Sequence, residues 1–483
     1  MDLTMHSSVV VLGGGPGGYA AAFLAADEGL EVTIVEAEPR LGGTCLLRGC
    51  IPSKALLHVA KVISEVEELK KDWGIEYEGA PKINVDTVRA RKEKVISNLT
   101  GGLANLAKRR GVKIIQARGS FVGSNELKLE GDHDSIPEDG KLTFDHCVLA
   151  TGSVPAMPPS FDIGSDRLMD STGALNLADI PETLLVIGGG YIGLEMGTVY
   201  ANLGSKVSVV ELAEGLLPGA DRDLVKPLAK RVDTMCGGRV YLNTKVGSVC
   251  EVDDQIEVTF EGPNKFGHER FDRVLVSVGR RPVTRGLGLE NTKVVVNSRG
   301  FVECDNQQRT ADPSIFAIGD VAGDPMLAHK ATHEGRVAAE VIAGKKVSFD
   351  KIAIPAVVFT DPEIAWAGIT EEEAKREGRK VTVEVYPWAA SGRAQALNLT
   401  NGLTKWLVDP ETNRVVGCGI VGTGAGELIA EAVLAIEMGC EVTDITESVH
   451  PHPTLSETLM NAGEVYFGTA TEIFKPKKKA ASA

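Results

Sequence analysis

One pattern occurs twice in this chain and leaves few folds open to it: a strand, a glycine loop, a helix and a second strand that ends in an acid. The first copy is SVVVLGGGPGGYAAAFLAADEGLEVTIVEAE, with Gly13, Gly15 and Gly18 in GxGxxG spacing and Glu36 closing the second strand. The second is LLVIGGGYIGLEMGTVYANLGSKVSVVELAE, with Gly188, Gly190, Gly193 and Glu211. In each copy the acid lies 23 residues after the first glycine, a span that chance rarely reproduces together with the motif. The first glycine permits the tight turn, the second lets the backbone approach a pyrophosphate, and the third lets helix and strand pack closely. The helix N-terminus adds free N–H groups and a partial positive charge for phosphates. Two Rossmann units in an α/β fold follow, each acid suited to a ribose hydroxyl. In the second unit, Glu211 would repel the extra phosphate of NADP, and the following LAEGLLPGAD contains no Arg, so NAD is expected there. Tyr191 reads equally as a gate to the nicotinamide pocket and as a tyrosine packed at a helix start.

A length of 483 residues suggests about three domains. A net charge of -15 argues against a nucleic-acid partner, which favours clustered Lys and Arg. No apolar run reaches the roughly 18 residues that a membrane span needs. The N-terminus enters a strand almost at once without a basic region, so a cytoplasmic protein is expected. The closing KPKKKAASA reads as a mobile basic tail, residues 471–483.

Two of the eight cysteines stand apart. Cys45 and Cys50, in GGTCLLRGCIPSK, precede an amphipathic stretch, LLHVAKVISEVEEL. In a regular helix, residues five apart lie roughly 8.6 Å from each other, whereas a disulfide needs less than about 7 Å. A bridge therefore requires a distorted helix start, and a distorted, reachable bridge suits redox cycling. On spacing alone, two buried thiols fit as well. Cys147, Cys236, Cys250, Cys304, Cys418 and Cys440 lack metal-ligand spacing and read as small buried hydrophobes, so no metal is expected.

CVLATGS, reaching Gly152, and VLVSVGRRP, containing Gly279, are short apolar strands that each follow a nucleotide unit and mark where the chain crosses between domains. TADPSIFAIGDVAG places Asp320 beside Gly319 at a strand end, where a carboxylate suits a sugar hydroxyl or a helix N-cap equally. VHPHPTLSETL holds His450, His452 and Glu457, and by itself reads as a Pro-rich turn.

Taken together, these motifs in this order resemble the flavoprotein disulfide reductases, and within them the branch that oxidises protein-bound dihydrolipoamide. The resemblance spans essentially the whole chain. It implies a redox-active Cys45–Cys50 disulfide, FAD on the first unit and NAD on the second. The FAD domain would be discontinuous, residues 1–152 and 281–350, with an NAD domain, 153–280, inserted and an α+β interface domain, 351–470, after it. For FAD it implies Gly13, Gly15, Gly18, Glu36, Lys54, Ala117, Gly152, Asp320 and Ala328. For NAD it implies Gly188, Gly190, Gly193, Glu211, Val246 and Gly279. Ala117 and Val246 carry no motif of their own. His452 would be the base, oriented by Glu457, with a cis His452–Pro453 bond permitted. Lys54 would neutralise charge near the flavin in a pair with Glu195. The resemblance further implies a homodimer whose sites take the histidine from the partner chain. The other partner would be a lipoyl-bearing subunit of a 2-oxoacid dehydrogenase complex or the carrier protein of glycine cleavage. Pro451 departs from the family pattern, which has Ala between the two histidines. His58, His329 and His333 read as structural.

Overall fold

The computed structural model describes residues 5–79 and 81–474. The last part of the expected basic tail, residues 475–483, lies outside the described residues.

The first sheet is built from β1 (Met5–Leu12), β2 (Val32–Glu36), β3 (Lys113–Gln116), β4 (Arg118–Gly123), β5 (Glu126–Glu130) and β6 (Lys141–Leu149), in the order β3-β2-β1-β6-β5-β4. Its β3-β2-β1-β6 half is parallel, and β5 and β4 are antiparallel. β1 is apolar on both faces, so Val9 and Val11 enter one core cluster while Val10 and Leu12 enter another. Such a continuous apolar strand suits a sheet covered on both sides. A seventh strand, β17 (Ile315–Ala317), pairs parallel with Cys147–Leu149 of β6, which brings the AIGD segment back beside the first glycine loop. α1 (Pro16–Asp27) connects β1 to β2 and packs against α8 (Ala328–Ile342).

The second unit repeats the design. β9 (Thr183–Ile187), α6 (Tyr191–Leu203) and β10 (Lys206–Val210) form its strand–helix–strand, completed by β11 (Val240–Tyr241), β15 (Arg273–Val276) and β8 (Leu168–Met169) in the order β11-β10-β9-β15-β8. An antiparallel sheet of β12 (Lys245–Val252), β13 (Gln255–Glu261) and β14 (Gly267–Phe271) covers it. β7 (Ser153–Pro155) and β16 (Arg280–Pro282) pair with each other, so the two expected crossing points meet in one ribbon.

The C-terminal part is a five-stranded antiparallel sheet, β18 (Ala356–Val358), β19 (Ile364–Gly368), β20 (Thr382–Pro387), β21 (Leu403–Val408) and β22 (Val415–Val421), ordered β18-β19-β22-β21-β20. Around it lie α9 (Glu371–Glu377), α10 (Gly392–Ala396), α11 (Ala425–Glu437), α12 (Val442–Thr446) and α13 (Glu457–Phe467). Trp388, Trp406 and Tyr386 fill its centre, and both indoles donate, to Thr404 Oγ1 at 3.0 Å and to the Leu459 carbonyl at 2.9 Å. Lys405 of β21, fully buried, reaches Asp221 and Asp223 at 2.8 and 2.7 Å. Asp223 lies in α7 (Arg222–Met235) and Asp221 just precedes it, so the second unit is fastened to this sheet. Among the described residues, no helix is long and apolar enough to cross a membrane.

Candidate active site

Cys45 lies in α2 (Gly43–Arg48) and Cys50 opens α3 (Cys50–Asp72), so the pair straddles a break between two helices. Gly49 makes the break, with φ -149° and ψ -115°. A Cβ there would come within 2.8 Å of the Thr44 carbonyl oxygen. This supplies the distorted helix start that the five-residue spacing demanded. Both cysteines are free thiols here, half-buried. The hydrogen bond between them, with burial, pushes the Cys45 thiol up. The same hydrogen bond holds Cys50 below the ordinary thiol value against burial, and the Lys54 ammonium adds to that lowering. A place at the N-terminus of a 23-residue helix also favours the Cys50 thiolate.

Lys54 stands one turn further along α3. Its Nζ donates to Glu195 at 3.1 and 2.9 Å, and Glu195 comes from α6 of the second unit with only 4% of its side chain exposed. A pairing across 141 residues was expected, and the helices place it.

A cleft of about 960 Å³ runs from the first glycine loop past these groups. Gly13, Gly15, Gly18, Glu36, Cys45, Cys50, Lys54, Ala117, Gly152, Glu195, Asp320 and Ala328 all line it. The third glycine is required by contact: a Cβ on Gly18 would lie 1.9 Å from the Gly13 carbonyl oxygen, and one on Gly193 would lie 2.2 Å from that of Gly188. α1, α6 and α8 begin without a side-chain cap, unlike α4 (Val85–Arg109) and α5 (Ser171–Asn176), capped by Asn84 and Asp170. Uncapped first-turn N–H groups are free for phosphate or another acceptor.

Both acids also have an unforeseen partner. Gly14 N–H donates to Glu36 Oε2 at 2.6 Å, and Gly189 N–H donates to Glu211 Oε2 at 2.6 Å. Each carboxylate thus ties down its own glycine loop and keeps lone pairs for a ribose. Arg222, the first basic residue after Glu211, donates to the carbonyls of Leu216 and Leu217 at 2.8 and 2.6 Å, so its guanidinium is turned onto the backbone. Tyr191 is 42% exposed and lines the cleft, so it is not a packed tyrosine. Val246 is buried among Ile256, Val258 and Phe260, and Gly279 accepts the Ala156 N–H at 2.9 Å.

His452 lies elsewhere on the chain. Its Nδ1 is 2.9 Å from Glu457 Oε1, and Thr454 N–H donates to Glu457 Oε2 at 2.8 Å. Burial would raise the Glu457 carboxyl, but the bonds from Thr454 and His452 hold it below its usual range. The His452–Pro453 bond is cis. The His452 side chain is 78% exposed, and the lining of the cleft ends at Ala331, so one chain does not bring this ring to the cysteines. The His450 side chain is only 7% exposed and is bonded to Glu431 and to the Ser448 carbonyl, each at 2.8 Å. His329 Nε2 donates to the Pro355 carbonyl at 2.8 Å, which suits a structural histidine.

Residues 7–335 match the family model for pyridine nucleotide-disulphide oxidoreductase, and residues 354–462 match the model for that family's dimerisation domain. The chain is 50% identical over 482 residues to a dihydrolipoyl dehydrogenase of Vibrio cholerae, covering 99% of each. It is 44% identical to one of Geobacillus stearothermophilus, covering 98% of each. Among solved structures, LpdA from Mycobacterium tuberculosis superposes with a TM-score of 0.85 at 26% identity, over 95% of this chain and 99% of that one. The chain belongs to the pyridine nucleotide-disulphide oxidoreductases. Family members of this kind use FAD and NAD, and the residues here fit both: two loops that only glycine can form, two acids at strand ends and uncapped helix starts.

In this oxidoreductase, motif reading missed Arg280. Its Nε donates to Ser153 Oγ at 2.8 Å and its guanidinium to the Ser153 carbonyl at 2.8 Å, while Ser153 Oγ donates to Asp320. Asp320 is therefore held across the β7–β16 ribbon. The available signal was the Arg pair closing VLVSVGRRP. One expectation is corrected: Cys250 is exposed on β12, because its position alternates outward from Val249, which is buried. Cys304 and Cys440 are only half-buried.

Proposed function

We infer that this chain is a dihydrolipoyl dehydrogenase, oxidising a protein-bound dihydrolipoyl group with NAD as the final acceptor. The observation that carries the reading is the Cys45–Cys50 pair on a broken helix start, with the Lys54–Glu195 pair one turn away and a second nucleotide unit whose first following arginine is bonded to backbone carbonyls.

In its working oxidised form the pair is a disulfide. A substrate thiolate attacks Cys45 Sγ; a bond to that sulfur forms, the Cys45–Cys50 bond breaks, and Cys50 leaves as the thiolate its surroundings favour. The second substrate thiol then displaces Cys45, so the substrate is oxidised by two electrons and the pair is reduced by two. His452 takes the substrate proton. With Nδ1–H donated to Glu457, Nε2 is the acceptor, and Glu457 stabilises the charged ring. FAD, when bound in the cleft, supplies the two-electron carrier that links this thiol chemistry to hydride acceptance by NAD.

We assign FAD to 1–152 and 281–350, NAD to 153–280 and the interface to 351–470. Because His452 is exposed and outside its own chain's cleft, we place it in the site of a second copy, making the enzyme a homodimer. A cytoplasmic location and a lipoyl-bearing protein of a 2-oxoacid dehydrogenase or glycine-cleavage assembly complete the reading.

Two experiments test it. Free dihydrolipoamide should be oxidised with NAD far faster than with NADP; efficient reduction of glutathione disulfide by NADPH would sink the assignment. Mixing inactive Cys45→Ser chains with inactive His452→Gln chains under subunit exchange should restore part of the activity, since one mixed site is intact; no recovery would end the shared-site proposal.

A further inference from the structure

Glu195 accepts one bond more than its pairing with Lys54 requires. The backbone N–H of Phe359 donates to Glu195 Oε1 at 3.1 Å, the oxygen that Lys54 also reaches at 3.1 Å. The Phe359 ring lies against the same ammonium, with Lys54 Nζ 4.4 Å from its centroid. Phe359 directly follows β18, outside both nucleotide units. One residue of the C-terminal part thus touches both ends of an ion pair formed between the other two parts.

The contact is not isolated. Two residues on, Asp361 lies 3.4 Å from Arg231 of α7, and the same guanidinium reaches Ser64 Oγ at 2.7 Å and Glu68 at 3.1 Å on α3. Val358 packs in one cluster with Leu56, Leu57 and Ala60 of α3. Segment 358–361 therefore grips α3 at Lys54 and again, through Arg231, at Ser64, roughly 15 Å further along the helix.

We propose that Phe359 is a positioning residue for the dithiol, its ring and backbone N–H together keeping the Lys54 ammonium against Glu195 and one helical turn from the Cys50 sulfur. An aliphatic side chain of similar volume would fill the space without an attractive π face. Lys54 has a long side chain, about one-third exposed, that loses rotamer freedom when held in one place. The ring adds a second attraction to that of Glu195, whose Oε1 is shared with the Phe359 N–H. The groups facing Cys50 are Cys45 on α2, Lys54 on α3, Glu195 and Tyr191 on α6, and Tyr19 on α1. Phe359 adds no charge of its own and acts through one of them.

The inference rests on the reading of Cys50 as a working thiolate, and the experiment separates the two. In flavin-loaded enzyme carrying Cys45→Ser, where Cys50 is the remaining thiol of the pair, the pH dependence of Cys50 alkylation is compared for Phe359→Leu, Phe359→Tyr and Lys54→Met. Lys54→Met should move the midpoint upward. Phe359→Leu should move it the same way, by about a threefold loss of thiolate at fixed pH, and Phe359→Tyr, which keeps a π face, should restore it. Phe359→Met carries the same comparison if the leucine variant does not fold. A midpoint unmoved by Phe359→Leu but moved by Lys54→Met overturns the inference alone, as would a loss of Tm with no change of midpoint. A midpoint unmoved by Lys54→Met overturns the role of Lys54 and the inference with it.

Discussion

The two nucleotide units are built alike and sit differently. Both close their glycine loop with a 2.6 Å bond from a backbone N–H to the acid at the second strand end, and both exclude a side chain at the third glycine. Glu36 is nevertheless buried and opens into the large cleft, whereas Glu211 is half-exposed beside Leu212, which is 69% exposed. The same local chemistry thus gives one enclosed site and one open site. Enclosure suits a resident cofactor and openness suits a nucleotide that must leave after each turnover.

The largest effects should come from the third glycines. In Gly18→Ala the new methyl would meet the Gly13 carbonyl at 1.9 Å, so the purified chain should lack flavin absorbance and lose activity by roughly 100-fold or more. Gly193→Ala meets a similar clash at 2.2 Å, yet that chain should retain its flavin and fail chiefly in KM for NAD. Equal flavin loss in both would break the distinction between the units.

Smaller effects should follow at the acids. Glu211→Ala should lower kcat/KM for NAD by about 10- to 100-fold, the scale of one hydrogen bond to a charged group, and narrow the preference over NADP. Glu36→Gln should leave NAD kinetics unchanged and show itself as flavin released at lower denaturant. A change in KM for NAD from Glu36→Gln would mean the two sites are not separable.

How much of this was written in the chain follows from the range of each signal. The glycine loops and their acids were legible because each unit is closed within about 25 residues. The cysteine pair was legible as a distortion, since helix geometry forbids its bridge without one. The Lys54–Glu195 and His452–Glu457 pairs came through the family resemblance, and no periodicity marks them. What stayed hidden joins segments whose separation no local pattern encodes. Arg280 with Ser153 spans 127 residues, and Phe359 with Glu195 spans 164. The exposure of Cys250 was lost because a cysteine's usual burial was given more weight than its place in a strand whose faces alternate.

The smallest difference between the units should appear in acid. Each carries one carboxylate that fastens its strands. Asp312, buried beside the first sheet, accepts from Ser124 Oγ and from the N–H groups of Lys293 and Ser314. Asp272, half-buried, accepts from Gln255 Nε2 and from the N–H and hydroxyl of Thr183. Burial alone would raise both carboxyls, but these bonds hold each below the usual range. A depressed folded value means that the stabilisation is present above the unfolded value, about 3.9, and is lost as pH falls through the folded one. Asp312→Asn and Asp272→Asn should therefore both lower Tm at pH 7, with the gap to the parent closing below about pH 4. Each aspartate accepts three bonds, so hydrogen-bond count predicts equal losses and burial predicts a larger loss for Asp312. A Tm penalty for Asp272→Asn as large as that for Asp312→Asn would show that bond number, and not enclosure, sets the loss, and that the two units do not differ here.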